Sequence, residues 1–359
     1  MNDAFRLSLI SYPYHASKHT GRGHDRYVAE LVENTSRALP ALTLDVVDTG
    51  FARNQLEGLL RLPKQALRMA RSTADVYHAI SPVGGAPAAL LGRRPLVVTI
   101  HDLIPFHLSA FESPVKTRLL RGSVRTCIQL ADALIVPYQV TKDELVAQLG
   151  AKPDKVHVVN YGVDHDSYFP RPEVTRDPHT ILYVGAVSRS KGVEVLIRAF
   201  AHVKARVPDA RLLVAGKPSA DQPGLEQLVS DLGAQDVVFS GFVPEKELPT
   251  RYASATVMVF PSHYGFGLST LEAMACGTPV VGVRTLDAPE FFADAGLLAE
   301  PNDPVSLADR LVEILADPRV QAQQREKSLA RAQLFSWLRT AQGNIRVYED
   351  VLRQRPARR

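Results

Sequence analysis

The segment Tyr264–Gly277 (YGFGLSTLEAMACG) combines the residue types that bind a phosphorylated sugar. An apolar strand is predicted to end near Phe260, and a helix is predicted to begin near Ser269. Gly265 and Gly267 fall in the loop between them, where glycine lets the backbone approach a ligand closely. The free amide groups at the start of a helix attract anions. The segment therefore predicts a cradle for a diphosphate and its sugar.

Glu272 lies in the first turn of that predicted helix. A carboxylate at this place can accept two hydrogen bonds from neighbouring hydroxyl groups, such as those of a ribose. The alternative is a glutamate that only complements the positive end of the helix dipole. The spacing alone leaves both interpretations open.

Two cations, Arg189 and Lys191, follow the first predicted strand of the second half of the chain, in the segment VGAVSRSKG. A positive charge at the carboxyl end of a strand can neutralise a leaving diphosphate. A solvated helix start is the alternative for these side chains. Both residues are therefore candidates for catalysis, with the alternative still open.

The first half of the chain offers a second glycine turn and a histidine. Gly21 and Gly23 follow the first predicted strand and precede a helix, which again favours anions. The turn is no dinucleotide fingerprint, because Arg26 stands where the last glycine would be. His101 follows the apolar strand LVVTI, and strand ends are where ligands of such sheets bind. A structural role is the alternative for a lone histidine.

Patterns that resemble metal sites are weak in this chain. The range Asp164–Asp166 (DHD) has an Asp-x-Asp spacing, which we interpret as turn chemistry. His15, His19 and His24 are close in sequence, but their spacing matches no standard metal site. We therefore expect neither a metal ion nor a bound cofactor.

Composition indicates a soluble globular protein of two domains. The 359 residues are 45% apolar and 22% charged. Cys127 and Cys276 are the only cysteines and lie far apart, so we expect no disulfide framework and a reducing cytosol. The start of the chain lacks the features of a secretory signal, and no stretch approaches the roughly 20 apolar residues of a membrane span. A cytoplasmic location is the expectation.

Short apolar runs alternate with longer helical patterns, in one set between Leu7 and Val159 and a second between Thr180 and Ala299. Continuous apolar runs suit strands buried on both faces, and strand–helix alternation implies parallel sheets. We predict an α/β fold of two Rossmann-like, doubly wound domains, with ligands in a central cleft that the strand ends face. The proline-rich, charged range 168–178 is the expected linker. The predicted divisions are residues 1–170, 171–335 and a last helix in 336–359.

The charge of the chain is mildly basic, with a formal net charge of +4 and a pI of about 9.0. No zinc-finger spacing or basic–aromatic block predicts nucleic-acid binding. Residues 55–71 and 115–125 form basic amphipathic patterns, which can lie on the anionic inner face of a membrane. Solvated surface helices are an equal alternative, and Pro63 interrupts the first pattern.

These motifs, taken in order, resemble glycosyltransferase family 4, a large family of retaining enzymes with the GT-B fold. PSHYGFGLSTLEAMACGTPVV resembles the signature of that family. TGRGHDRYVAEL resembles its N-terminal glycine loop, and VVTIHDLIP resembles its histidine strand end. VVNYGVD and ILYVGAVSRSKG resemble its interdomain segment and its phosphate-binding loop. The resemblance extends over nearly the whole chain.

The resemblance implies that the second domain holds a nucleotide-diphosphate sugar and the first holds the acceptor, a glycan, a lipid-linked glycan or a natural product. Glu272 would grip the donor ribose, Lys191 would contact the diphosphate, and His101 would lie near the transferred sugar. Transfer would need no metal, and the last helix would cross back to the first domain. The implied donor-binding residues are Gly21, Gly23, Gly185, Tyr264, Gly265, Phe266, Gly267, Leu268, Ser269 and Glu272.

Two positions depart from the family pattern. Tyr264 stands where the family usually has a first glutamate, with seven residues between it and Glu272. Ala186 stands where an arginine often follows the glycine of the phosphate loop, and Arg189 is the candidate to replace that cation. The tyrosine predicts an unusual donor, such as a deoxy, pentose or uronic sugar.

Three other functions compete with a retaining glycosyltransferase. A nucleotide-sugar epimerase or a phosphorylase has a similar two-domain fold. A catalytically silent nucleotide-sugar-binding subunit would explain the two replaced residues. A nicotinamide-dependent oxidoreductase is disfavoured, because the dinucleotide fingerprint is absent.

Overall fold

The computed structural model describes residues 5–11, 23–48, 67–107, 114–262 and 267–354 of the chain. Contacts divide the chain into two compact units, one of Met1–Tyr161 with Trp337–Arg359 and the other of Gly162–Ser336. The sequence placed the linker at 168–178, whereas the division lies between Tyr161 and Gly162. The described residues of 336–359 group with the first unit, apart from Ser336.

The first unit contains a six-stranded parallel sheet in the order β2-β1-β3-β4-β5-β6. Strands such as LVVT and ALIV are buried along their whole length, because both faces of the sheet are covered. The order changes direction between β1 and β3, as in doubly wound folds. The strands are β1 (Arg6–Ser11), β2 (Thr43–Asp48), β3 (Val76–Ala79), β4 (Leu96–Thr99), β5 (Ala133–Val136) and β6 (Val156–Val158).

Helices connect these parallel strands. Pro82 opens one of them at a position where its missing N–H costs nothing, and Gly150 ends another in the left-handed conformation. Residues 67–71 are also helical. The helices of this part are α1 (Gly23–Ala38), α2 (Pro82–Leu90), α3 (Ile104–His107), α4 (Pro114–Leu130) and α5 (Gln139–Leu149), followed by a 3-10 turn (Pro153–Lys155).

The second unit contains its own six-stranded parallel sheet in the order β12-β11-β10-β7-β8-β9. The first and fourth strands of this unit, β7 and β10, are therefore neighbours. The strands are β7 (Thr180–Val184), β8 (Arg211–Ala215), β9 (Val237–Gly241), β10 (Val257–Phe260), β11 (Val280–Val283) and β12 (Leu297–Ala299). The two sheets confirm the predicted α/β architecture of two doubly wound domains.

Helices cover the second sheet, and two of them begin at aspartate caps. The side chain of Asp303 accepts hydrogen bonds from the amides of Val305 and Ser306, and Asp317 accepts one from Arg319. The helices are α6 (Val193–Arg206), α7 (Gln222–Asp231), α8 (Leu248–Ser254), α9 (Leu268–Ala275), α10 (Ala288–Phe292), α11 (Pro304–Ala316) and α12 (Pro318–Ala332), with 3-10 turns at Arg189–Lys191 and Glu245–Glu247.

The last helix, α13 (Trp337–Arg353), packs against α1 in the first unit. Its Tyr348 hydroxyl lies 2.7 Å from Nδ1 of His78, whose Nε2 lies 2.8 Å from Oγ1 of Thr99. Burial lowers the pKa of His78 to about 3, so its ring is neutral. An added Cβ at Gly343 would lie 2.7 Å from Cγ1 of Val159. The helix therefore returns to the first sheet through close packing and a buried hydrogen-bonded chain.

Candidate active site

The switch point of the second sheet brings together two segments that the sequence singled out. Lys191 follows β7 and Gly267 follows β10, and these neighbouring strands run in the same direction. Ligands of doubly wound sheets bind at the carboxyl ends of strands at such a point. Gly192 has a φ of +77°, and an added Cβ there would lie 2.3 Å from the carbonyl oxygen of Pro261. The two loops thus touch through their backbones, and only glycine permits this approach.

The loop after β7 is held by backbone hydrogen bonds to the loop after β8. The amide of Gly185 donates to the Ala215 carbonyl at 3.0 Å, and the amide of Val187 donates to the Lys217 carbonyl at 3.2 Å. An added Cβ at Gly216 would lie 1.6 Å from the carbonyl oxygen of Gly185. The predicted phosphate loop therefore has a fixed path.

Arg189 and Lys191 occupy the 3-10 turn of this loop. The amide of Arg189 donates to a carboxylate oxygen of Asp221 at 2.9 Å, which anchors the turn. Nε of Arg189 lies 3.4 Å from a carboxylate oxygen of Glu194, and its side chain is 58% exposed. Lys191 is half-buried in the same turn. The charge of Arg189 is thus balanced by a carboxylate in the first turn of α6.

Gly267 is the N-terminal cap of α9, with φ −64° and ψ 136°. An added Cβ there would lie 2.8 Å from Oγ of Ser269 and 2.9 Å from the ring of Phe260. Glycine is therefore favoured at position 267 because a side chain would clash there, and not because of the backbone angles. Leu268 and Ser269 form the start of the helix, as expected, while Tyr264, Gly265 and Phe266 lie outside the described residues.

Glu272 is the fifth residue of α9, in its second turn, so the prediction that it lies in the first turn is wrong. Its side chain is only 3% exposed, and the hydroxyl of Tyr252 donates to its Oε2 at 2.9 Å. Tyr252 is in turn held by Oγ1 of Thr278, which donates to its carbonyl at 2.6 Å. The carboxylate is therefore buried and held in place by a tyrosine hydroxyl, which an interaction with the helix dipole alone does not explain.

Tyr252 was not singled out from the sequence. It lies on α8, to which no functional role was assigned. The signal was a tyrosine on a short helix just before the apolar strand β10, and such a residue is ordinarily a core residue. Its pairing with Glu272 depends on how α8 and α9 pack.

The two cysteines are buried and free. Burial raises the pKa of Cys276 to about 12, and the nearby Glu272 adds to that shift. Burial also raises the pKa of Cys127 to about 12. Both thiols therefore stay protonated near neutral pH, and neither is an activated nucleophile.

His101 lies in the first unit, just beyond β4. Its Nδ1 lies 2.8 Å from the hydroxyl of Tyr161, and its ring meets that of Tyr27 edge-on at 5.0 Å. Burial lowers its pKa to about 3, the charge of His24 lowers it further, and the carbonyl of Ile80 acts in the opposite direction. His101 is therefore a neutral imidazole at physiological pH.

Two further predicted residues fall in or near the first unit's glycine turn. Gly23 begins α1, and an added Cβ there would meet no atom of the described residues within 4 Å, so no close approach within that part of the chain explains it. Gly21 lies outside the described residues. His15 and His19 also lie outside them, whereas the ring of His24 lies 5.9 Å from that of His101.

The Asp-x-Asp pattern forms a local turn. Oδ1 of Asp164 accepts from the amide of Asp166 at 3.0 Å, and Oδ2 accepts from Oγ of Ser167 at 2.6 Å. His165 points elsewhere, with Nε2 at 2.9 Å from the carbonyl of Phe335. Within the described ranges, no group of three or more His, Cys, Asp or Glu side chains forms a metal-binding cluster. No helix described here is long and apolar enough to cross a membrane.

Two family models match the chain. Residues 178–317 match the model described as Glycosyl transferases group 1, and residues 16–167 match Glycosyltransferase Family 4. A D-inositol 3-phosphate glycosyltransferase of Frankia alni is 33% identical, over 77% of this chain and 74% of its own length. The protein of that name from Thermobifida fusca is 31% identical, over 83% of this chain and 74% of its own length.

Solved structures match the fold over almost the whole chain. Sucrose-phosphate synthase from Thermosynechococcus elongatus has a TM-score of 0.83 and 24% identity, over 98% of this chain and 100% of that one. Anabaena HepE in complex with UDP-glucose has a TM-score of 0.74 and 21% identity, over 97% and 99%. At these identities the likeness concerns the fold.

Proposed function

The chain belongs to glycosyltransferase family 4 and has the GT-B fold, and on this premise we propose that it transfers a sugar from a nucleotide-diphosphate sugar to an acceptor hydroxyl with retention of anomeric configuration. One observation carries this proposal. The loop after β7, with Lys191, meets the loop before α9 at the switch point, where Gly192 touches Pro261. A nucleotide diphosphate suits such a place, because Lys191 and the first amides of α9 follow the carboxyl ends of two neighbouring strands.

In the proposed reaction, the bond between the anomeric carbon and the diphosphate oxygen breaks and a bond to the acceptor oxygen forms on the same face. Lys191 and the amides at the start of α9 stabilise the negative charge of the leaving diphosphate. The proton of the acceptor hydroxyl passes to a phosphate oxygen of the leaving group. Neither a covalent nucleophile nor a metal ion is part of this reaction.

Glu272 binds the nucleotide ribose in this proposal, and Tyr252 holds its carboxylate in place. The supporting contact is the 2.9 Å hydrogen bond from the Tyr252 hydroxyl to Oε2. UDP is the first nucleotide to test, because HepE was solved with UDP-glucose. An inositol phosphate is the first acceptor to test, beside glycan and lipid-linked acceptors, because the similar proteins of Frankia alni and Thermobifida fusca are D-inositol 3-phosphate glycosyltransferases.

The decisive test combines donor screening with one substitution. Nucleotide sugars are screened for protection against thermal unfolding, and those that protect are assayed for transfer and for hydrolysis. Lys191→Ala should lower kcat by about 10²–10³, the usual cost of removing one group that stabilises charge in the transition state. Lys152→Ala, which removes an exposed lysine of the first unit, serves as the control and should keep normal turnover. Near-normal turnover of the Lys191 variant would overturn this assignment.

Tyr264 leads us to propose a donor other than a common hexose. The panel therefore includes deoxy, pentose and uronic sugars beside glucose and N-acetylglucosamine. Tyr264→Glu should reduce turnover of the native donor. A clear preference of the unaltered protein for a common hexose would contradict this part of the proposal.

Two alternatives have distinct outcomes in the same assays. An epimerase converts the donor without any acceptor, and a silent subunit binds nucleotide without turnover across all donors and acceptors.

We also propose contact of α4 with an anionic membrane, because Val115 and Leu119 are 68% and 67% exposed beside Lys116 and Arg118. Sedimentation with phosphatidylglycerol vesicles should fall when Leu119 is replaced by Ser, and no binding at low salt would contradict it.

A further inference from the structure

The side chain of Asp221 does not cap the helix that it precedes. Asp221 is the N-cap residue of α7, where an aspartate ordinarily accepts hydrogen bonds from the first amides of its own helix. The amides of α7, all of them described, form no such bond, and Oδ2 of Asp221 accepts instead from the amide of Arg189 at 2.9 Å. That amide opens the 3-10 turn of the loop after β7. Asp221 therefore caps a turn in another loop, and that turn contains Lys191.

This hydrogen bond continues a ladder of contacts between the loops after β7 and β8. The two strands pair in parallel along their whole length. Beyond them, the amide of Val187 donates to the Lys217 carbonyl, and Oγ of Ser219 donates to the Val187 carbonyl. Oγ of Ser219 also accepts from the amide of Asp221 at 3.1 Å, which fixes the residue that carries the carboxylate. Side chains of the second loop thus replace the backbone partners that the strands no longer supply, at Val187 and then at Arg189.

The negative charge of Asp221 is unfavourable at this place if the turn binds a diphosphate. Like charges repel, so a carboxylate bonded to the turn works against an anion beside Lys191. The side chain of Arg189 does not remove this cost, because its guanidinium pairs with Glu194 at 3.4 Å. What Asp221 contributes to the turn is an oxygen that accepts from a backbone amide. The hydrogen bond, rather than the charge, therefore explains an aspartate here.

We propose that Asp221 is a positioning residue, which holds the 3-10 turn so that Lys191 meets the leaving diphosphate. This inference rests on the proposed function and extends it to the loop after β8, none of whose side chains takes part in the proposed reaction. Asp221 acts through the backbone of Arg189 and not through the arginine side chain. An asparagine oxygen accepts from an amide as a carboxylate oxygen does, so the role depends on the acceptor and survives the loss of the charge.

The attachment of the turn can be measured without any substrate. Hydrogen exchange of the Arg189 amide, followed in ¹H–¹⁵N spectra of the full chain, reports whether its bond to Asp221 is present. Exchange should be about tenfold faster in Asp221→Ala, the effect of losing one such bond, and close to normal in Asp221→Asn. Asp231→Ala is the matched control, because it removes an exposed aspartate at the other end of α7. Equal exchange in the unaltered protein and in Asp221→Ala would overturn the proposal.

Turnover provides the second readout. Asp221→Ala should lower kcat about tenfold, with a smaller change in KM for the donor, because the cation is misplaced while the other donor contacts remain. Asp221→Asn should keep kcat within about twofold of normal and bind the free nucleotide at least as tightly, since it keeps the acceptor and loses the repulsion. An unchanged kcat in Asp221→Ala would contradict the positioning role. An equal loss in both variants would show that the charge matters instead of the hydrogen bond.

A double variant tests whether Asp221 acts through Lys191. Once Lys191 is replaced by Ala, the further change Asp221→Ala should lower kcat by less than about twofold, because nothing is left to position. A full additional loss would contradict the proposal, since the two residues would then act independently. If no donor is turned over by the unaltered protein, the proposed function fails, while exchange of the Arg189 amide still decides whether Asp221 holds the turn. If turnover is normal and Asp221→Ala is fully active, the role of Asp221 fails alone.

Discussion

Each of the two units has its own parallel, doubly wound sheet. The carboxyl ends of the strands differ, because backbone contacts shape them in the second unit and side chains shape them in the first. At the carboxyl ends of the strands in the second unit, the backbone makes the contacts, with Gly192 against Pro261 and Gly267 at the start of α9. Among the described residues at the strand ends of the first unit, side chains make the contacts, with His101 next to Tyr161 and Tyr27. Strand ends shaped by the backbone offer amide groups to a phosphate. Strand ends shaped by side chains offer neutral polar groups in fixed orientations.

This difference predicts two kinds of sensitivity. In the second unit, an added methyl group should do more damage than the loss of an exposed side chain. In the first unit, the loss of a buried polar atom should do the most damage. At these strand ends, the second unit therefore depends on close backbone packing that an added Cβ would disrupt, and the first depends on hydrogen bonds between side chains that are remote in sequence.

The largest effect is expected from Gly192→Ala. Its φ of +77° costs a residue with a Cβ about 1–2 kcal/mol, and the contact with Pro261 adds about 1–3 kcal/mol. Amide hydrogen exchange of α6 and α9 should show the second unit destabilised by about 3 kcal/mol. Gly233→Ala is the control, because its φ is +57° but an added Cβ meets nothing within 4 Å. An equal loss in both variants would refute the backbone contact.

Acid should weaken the first unit through its buried neutral histidines. His78 and His101 each have a pKa lowered to about 3, against about 6.5 in an unfolded chain. The unfolded chain therefore takes up these protons first. Each histidine contributes stability that is complete above about pH 6.5 and is lost as the pH falls towards 3, by at most about 1.4 kcal/mol per pH unit. Trp337 fluorescence during urea unfolding measures this loss.

His78→Leu removes one of the two histidines whose protonation makes the stability depend on pH. The pH dependence between 6.5 and 3 should become shallower by one proton, because Leu does not titrate. At pH 7 the variant should lose about 2 kcal/mol, since the hydroxyls of Tyr348 and Thr99 lose their buried partner. The double variant with Tyr348→Phe should lose less than the sum of the two single variants. An unchanged pH dependence would show that His78 does not titrate as expected.

A smaller effect is expected from Tyr252→Phe in the second unit. The variant removes the hydrogen bond to Glu272 and should raise KM for the donor about tenfold, with little change in kcat. Calorimetric titration with the free nucleotide tests whether the loss lies on the nucleotide side. Tyr168→Phe, whose ring lies 6.1 Å from that of Tyr252, is the control. Equal nucleotide affinity in all three proteins would contradict the role of Tyr252.

The smallest effect is expected from Arg189→Ala. Exposed ion pairs contribute about 0–1 kcal/mol, and Arg189 is exposed and paired with Glu194. The value of kcat/KM should fall by less than about threefold. A loss as large as that of Lys191→Ala would show instead that Arg189 supplies the cation that Ala186 lacks.

Local patterns were sufficient for most elements of the fold. Most of the predicted apolar runs became strands, and strands such as β4, β5, β10 and β11 are buried along their whole length. Helix α12 was missed, because it is strongly polar and buries only Gln324, Ser328 and Ala332. A helix without an apolar stripe leaves little periodic signal.

The sequence by itself determined the alternation of strands and helices and the chemical types in the glycine loop, at Lys191 and at His101, because these depend on neighbours in the chain. Only the tertiary structure decided which partners these groups have. Tyr252 reaches Glu272, and Tyr161 reaches His101, through packing between elements far apart in sequence. The strand order that makes β7 and β10 neighbours has the same origin, since crossovers, not local propensity, set it.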